Sequence, residues 1–92
     1  MFFYDISDEL KRQISILVKK DKRRSEQLLK KIKEIVSGDE FSIGHYKNLK
    51  YGLSDYKRVH VSGGSFVLLF RVFVKEKHVL FLKLDHHKNV YR

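Results

Sequence analysis

The apolar residues of this 92-residue chain change their spacing once, near Gly38. Before it they recur at helical spacing, and after Gly44 they alternate or run continuously, as in strands. Ser7 can cap a first helix, with Asp8 and Glu9 in the turn where the helix dipole favours acids. Ile6, Leu10, Ile14, Leu17 and Val18 form its apolar stripe, and Lys19 and Lys20 fall in its last turn. Asp21 then caps a second helix with the stripe Leu28, Leu29, Ile32, Ile35 and Val36, and Gly38 stops it. Met1 to Asp5 reads as a short edge strand.

From Tyr56 to Val61 the pattern alternates, with Val59 and Val61 on one face and Arg58 and His60 on the other. Ser62-Gly63-Gly64-Ser65 is a hairpin signal, because glycine supplies the positive φ of tight turns. Phe66 to Val74 is apolar on both faces, as a central strand requires, and only Arg71 interrupts it. Lys75-Glu76-Lys77 makes a second turn and His78 to Leu84 a third strand. The expected fold is α+β: two N-terminal helices packed on one face of an antiparallel three- to four-stranded sheet, in a single domain spanning residues 1–92. The other face would be open, with Arg58 and His60 pointing from it.

The charge gives that face a direction. A net charge of +9 and a pI near 9.9 suit a polyanionic partner: nucleic acid, the ribosome, an acidic protein or a membrane surface. Lys19, Lys20, Lys22, Arg23, Arg24, Lys30, Lys31 and Lys33 cluster on the helices, where they read first as solvated faces. No apolar run approaches the ~20 residues of a membrane span, and the start lacks the basic and apolar segments of a signal peptide. A cytoplasmic protein without a membrane partner is expected. There is no cysteine, no phosphate-binding glycine loop and no serine nucleophile elbow. No metal and no small-molecule cofactor are expected.

The candidate chemistry is acid–base. Histidines stand at 45, 60, 78, 86 and 87. Cleavage of RNA by its own 2′-hydroxyl needs a base, an acid and cations that stabilise the crowded phosphorus. His60 beside Arg58, with a histidine from the C-terminal segment, supplies that set without a metal. His86 and His87 would face opposite sides of a continuing strand, so a one-residue slip decides which joins His60.

The segment Leu49-Lys50-Tyr51-Gly52-Leu53-Ser54-Asp55-Tyr56-Lys57-Arg58-Val59-His60-Val61 resembles the RelE/ParE superfamily segment in which a leucine-lysine-glycine stretch leads into a strand with a basic residue. Gly64 to Val72 is similar to the family's next strand, and His86-His87-Lys88-Asn89-Val90-Tyr91 to its C-terminal basic or histidine cluster followed by Val-Tyr. The resemblance implies a toxin of a type II toxin–antitoxin system, neutralised by a RelB-like antitoxin. In the RelE and YafQ-like branch it implies a ribosome-dependent mRNA endonuclease that inhibits translation. Carried over by position, His60, His87, Arg58 and Tyr91 are the expected catalytic residues, with His86 as the alternative to His87. Lys50, Lys57, Arg71, Lys88 and Arg92 are the cations expected to hold the RNA. Val67 stands where the RelE branch often has an arginine, and Ser65 where the YafQ-like branch has an aspartate. The alternatives are therefore a ParE-like gyrase-inhibiting toxin without nuclease activity and a non-enzymatic RNA- or ribosome-binding module. The antitoxin is expected to cover sheet edges and outward apolar positions such as Phe66 or Leu69.

Overall fold

The computed structural model describes residues 1–48, 56–61 and 63–86. In chain order the elements are β1 (Phe3–Ile6), α1 (Asp8–Lys20), α2 (Lys22–Ser37), α3 (Glu40–Ile43), β2 (Lys47–Asn48), β3 (Tyr56–Val61), β4 (Phe66–Phe73) and β5 (His78–His86). The strands form one sheet in the order β1-β5-β4-β3-β2, antiparallel throughout except for the parallel pair β1–β5. The helices pack on one face of it, as the two spacings require.

Both predicted caps form. Ser7 Oγ accepts from the Leu10 amide at 3.0 Å, and Asp21 Oδ1 accepts from the Arg24 amide at 3.1 Å. Gly38 closes α2 with an extended φ of −78°, so glycine is not required there for its backbone freedom. It leaves space for Ser42 Oγ, which a Cβ at Gly38 would displace from its bond with the Asp39 amide. Ser42 and Asp39 form the capping box of α3, an element the apolar spacing does not announce. The β3–β4 turn does use glycine freedom: Gly63 and Gly64 have φ of 75° and 92°.

The core joins Phe2, Leu10, Leu28, Ile32, Ile35 and Ile43 to Val61, Leu68, Phe70, Val72, Val79, Phe81 and Leu84. Two expected stripe residues fall outside it: Val18 and Leu29 are exposed. Leu29 lies ~100° around the helix from Leu28, beyond the small, buried Ser25, whose hydroxyl donates to the Lys22 carbonyl at 2.6 Å. The sheet also departs from expectation. It gains β2 as an outer strand, β1 runs parallel to its neighbour, and β5 extends to His86.

One irregularity orders the sheet. Leu69 pairs with Lys83 but Phe70 pairs with Phe81, so Leu82 is an extra residue in β5. Val79 and Phe81 face the helices before the bulge, and Leu84 and His86 face them after it. β1 stops pairing at Phe81, and side chains from the start of α1 then take over the exposed edge of β5. Ser7 Oγ donates to the Leu82 carbonyl. The Gln13 amide brackets Leu84, donating to its carbonyl at 2.7 Å and accepting from its amide at 2.8 Å.

Truncating Leu28, which is fully buried, to alanine is expected to cost about 2–5 kcal/mol in urea unfolding. Leu29→Ala is expected to cost under about 1 kcal/mol, since Leu29 is 44% exposed. Equal losses would place both leucines in the core.

Candidate nucleic-acid interface

The sheet registers assign every strand residue to the helix-packed face or to its opposite. Arg58 pairs with Lys47 on one side and Leu69 on the other, and Leu69 pairs with Lys83. Cross-strand partners share a face. Lys47, Arg58, Leu69 and Lys83 therefore form a row across four strands on the helix-free face. The next row is His60, Val67 and Asp85; the row on the other side is Tyr56, Arg71 and Leu80. Val67 and Leu69 are buried yet lie outside the core cluster, as residues of this second face should.

The cationic row has an electrostatic cost. Lys47 directly opposes Arg58, an arrangement that destabilises a sheet unless something negative compensates. The Arg58 guanidinium donates to the backbone carbonyl of Asn48, which fixes its position beside Lys47. Lys83 approaches the Asp85 carboxylate at 3.6 Å. Three cations in one row, with one carboxylate beside the third, make a surface suited to a phosphate chain. His60 is exposed at the hairpin end of the face, next to the β3–β4 turn; a Cβ on Gly64 would come within 3.8 Å of its ring.

The predicted residues divide between the faces. Arg58, His60 and Arg71 share the helix-free one. Lys57 does not: it pairs with Phe70, and its ammonium donates to the Tyr46 carbonyl at 3.1 Å and to Asn48 Oδ1 at 2.7 Å. Burial lowers the Lys57 pKa below the usual lysine range, and burial, then Glu34, raises that of Tyr46. Lys57 thus ties β3 to the segment before β2. His86 is also on the helix side, paired with Phe66 and meeting its ring edge-on at 5.5 Å. The Leu82 bulge is the reason, because it reverses which β5 positions face the helices. Phe66 is correspondingly not an outward position: it packs against the core, with the Arg24 guanidinium 4.3 Å from its ring centre. Leu69 does face outward. Lys50, His87, Lys88, Tyr91 and Arg92 lie outside the described residues.

The remaining histidines have local partners. His78 Nε2 meets the Asp5 carboxylate at 2.8 Å, joining β1 to β5, and His45 stands edge-on to Phe41 with ring centres 4.7 Å apart. Among the described residues no group of three or more histidine, aspartate or glutamate side chains is placed to hold a metal ion, and no helix is long and apolar enough to cross a membrane. Lys47, Lys83, Tyr56 and Phe73 also lie on this face, and the sequence alone does not single them out. For Lys83 the alternation with Leu82 and Leu84 is the available signal; for Lys47 there is none, since a two-residue strand has no periodicity.

No family profile matches the chain. It is 40% identical to "Putative toxin RelE4" of Methanocaldococcus jannaschii over all 92 residues, covering 93% of that protein. It is 35% identical to an uncharacterized protein of Methanosarcina mazei over 91 residues, covering 100% of it. Its fold is that of the toxin in the intact E. coli RelBE toxin–antitoxin complex, with a TM-score of 0.70 over 94% of this chain and 96% of that one at 17% identity. It is also similar to HP0892 of Helicobacter pylori, with a TM-score of 0.66 at 22% identity, covering 99% and 100% of the two chains. Full-length identity at this level, on a fold shared with E. coli RelE, shows that the chain belongs to the RelE family of toxins of toxin–antitoxin systems.

Proposed function

We propose that this RelE-type toxin is a metal-independent, ribosome-dependent endonuclease of mRNA, held inactive by a RelB-like antitoxin. The observation that carries the reading is the placement of His60 beside the Lys47–Arg58–Lys83 row on the helix-free face. A phosphate on that row would lie within reach of an imidazole that exchanges protons near neutral pH. In the proposed reaction the 2′-oxygen forms a bond to phosphorus and the bond from phosphorus to the 5′-oxygen breaks. One histidine takes the 2′ proton and another delivers a proton to the leaving oxygen, leaving a 2′,3′-cyclic phosphate and a 5′-hydroxyl end. His60 and His87 are proposed for those two roles, with Arg58 and Lys83 stabilising the added negative charge. Tyr91 is carried from the family resemblance, as are Lys50, Lys88 and Arg92 as RNA-holding residues. His86, beside Phe66, is the weaker candidate for the second histidine. Cytoplasmic action follows from an mRNA target.

The antitoxin proposal rests on charge. A basic toxin surface suits an acidic chain that folds on binding. Such an antitoxin would occlude the cationic row and so compete with RNA for it.

Expression of the wild-type chain is expected to arrest growth and to create new 5′ ends on ribosome-bound mRNA, read by primer extension. His60→Ala and His87→Ala should each reduce cleavage by about 100-fold or more, the usual scale for losing a general acid or base, with the melting temperature unchanged. Full toxicity in both variants would remove the catalytic assignment. Growth arrest without new 5′ ends would favour a gyrase target, a reading to which the absence of arginine at Val67 gives some support. A second prediction concerns the genome: a short neighbouring reading frame should encode an acidic chain whose co-expression restores growth. Unrelieved arrest in its presence would contradict neutralisation by that chain.

A further inference from the structure

β4 is apolar along both faces from Phe66 to Phe73 with one exception, Arg71. A central strand gains nothing for its core from a guanidinium, so the surroundings of this one are informative. Its central carbon lies 4.7 Å from the Phe73 ring centre and 5.2 Å from that of Tyr56, its cross-strand partner. All three side chains are half-buried on the helix-free face. Beyond Phe73 the His78 ring follows at 6.1 Å, itself held by Asp5. The result is a shelf of π surfaces with one planar cation among them, one row along the strands from the Lys47–Arg58–Lys83 row.

The charges distinguish what each row can hold. The row containing Arg58 has three cations and suits phosphates. The row containing Arg71 continues through Leu80 to Asp5 and, among the described residues, has no second cation. A phosphate there would meet an apolar side chain and a carboxylate, whereas a base would meet flat apolar and cationic surfaces. Stacking on aromatic and guanidinium planes of a sheet is a general way of holding unpaired bases. The two rows are separated by two residues of strand, about 7 Å, a distance an extended nucleotide can bridge between its phosphate and its neighbour's base.

We propose that Tyr56, Arg71 and Phe73 form a stacking site for one base of single-stranded RNA whose backbone lies on the Lys47–Arg58–Lys83 row. The inference rests on the reading that this face holds RNA, and it does not depend on whether the RNA is cut. Titration of the purified protein with a hexaribonucleotide, followed by NMR, tests it directly. The Tyr56 and Phe73 ring protons and the Arg71 Nε–H should shift upfield by ring currents. An abasic hexamer of the same charge should leave them in place while still perturbing Arg58 and Lys83. Tyr56→Leu and Arg71→Leu should each weaken binding of the base-containing hexamer about tenfold, and Tyr56→Phe should leave it unchanged. The abasic comparison uses the wild-type protein, so it stands if a leucine variant fails to fold. Equal shifts with both hexamers would overturn the proposal, as would perturbation of the shelf by an acidic peptide and not by RNA. Loss of cleavage in His60→Ala with the shelf shifts retained would leave it intact, and absence of cleavage by the wild type would count against the nuclease reading alone.

Discussion

The arrangement of this sheet depends on the pairing of β4 with β5 across a single extra residue, Leu82. Before the bulge the helices cover Val79 and Phe81; after it they cover Leu84, and His86 lies on the same side but exposed. Were Leu82 paired regularly with Leu69, Lys83 and Asp85 would turn toward the core, where an unpaired charge costs several kcal/mol. The bulge is held from outside the sheet. Where β1 ends, Ser7 and Gln13 bond to the Leu82 and Leu84 backbone, so the edge of β5 keeps its partners beyond the reach of β1. Ser7 serves twice, capping α1 through one hydrogen bond and fixing the bulge through another. The start of the first helix and the register of the last strand are therefore one structural feature.

That register gathers charge on the face the helices leave. Lys47, Arg58 and Lys83 come from three strands far apart in sequence, and their repulsion is tolerated on a face whose proposed ligand is anionic. Lys57, next to Arg58 in the chain, has the opposite use. It is drawn toward the helix side, bonded to Tyr46 and Asn48, and its ammonium is partly desolvated. Neighbouring cations on one strand are thus divided between holding β2 in place and lining the helix-free face. The basic residues of α1 and α2 are a third group. Several have local neighbours, as Arg24 has Asp21 and Phe66 and Lys31 has Glu34.

Much of this is legible in the sequence because strong local signals agree with the global fold. Ser7, Asp21, Gly38 and the Gly63-Gly64 turn each mark an element end, and the alternation of Tyr56 to Val61 assigns Arg58 and His60 to the correct face. What is not legible depends on pairing between distant residues. Nothing local to β5 announces the bulge, so the side taken by His86 cannot be read from alternation. α3 and β2 are too short for periodicity. Val18 and Leu29 flank their stripes, and only the position of the sheet decides that they stay exposed. The Tyr56–Arg71–Phe73 shelf has a one-residue signature in sequence, the arginine in an apolar run, and acquires meaning only once β3 is paired beside it.

The central claim is that function resides on one face of β3–β5 and stability on the other, divided by a register that shifts at Leu82. A residue-by-residue alanine scan of Tyr56–Val61 and Lys83–His86, scored for growth arrest and for melting temperature, tests it most directly. The account predicts that Arg58, His60 and Lys83 lose toxicity with little change in melting temperature, and that Val59, Val61 and Leu84 lose melting temperature first. Loss of toxicity without loss of stability at Val59, Val61 and Leu84, with Arg58, His60 and Lys83 indifferent, would contradict it.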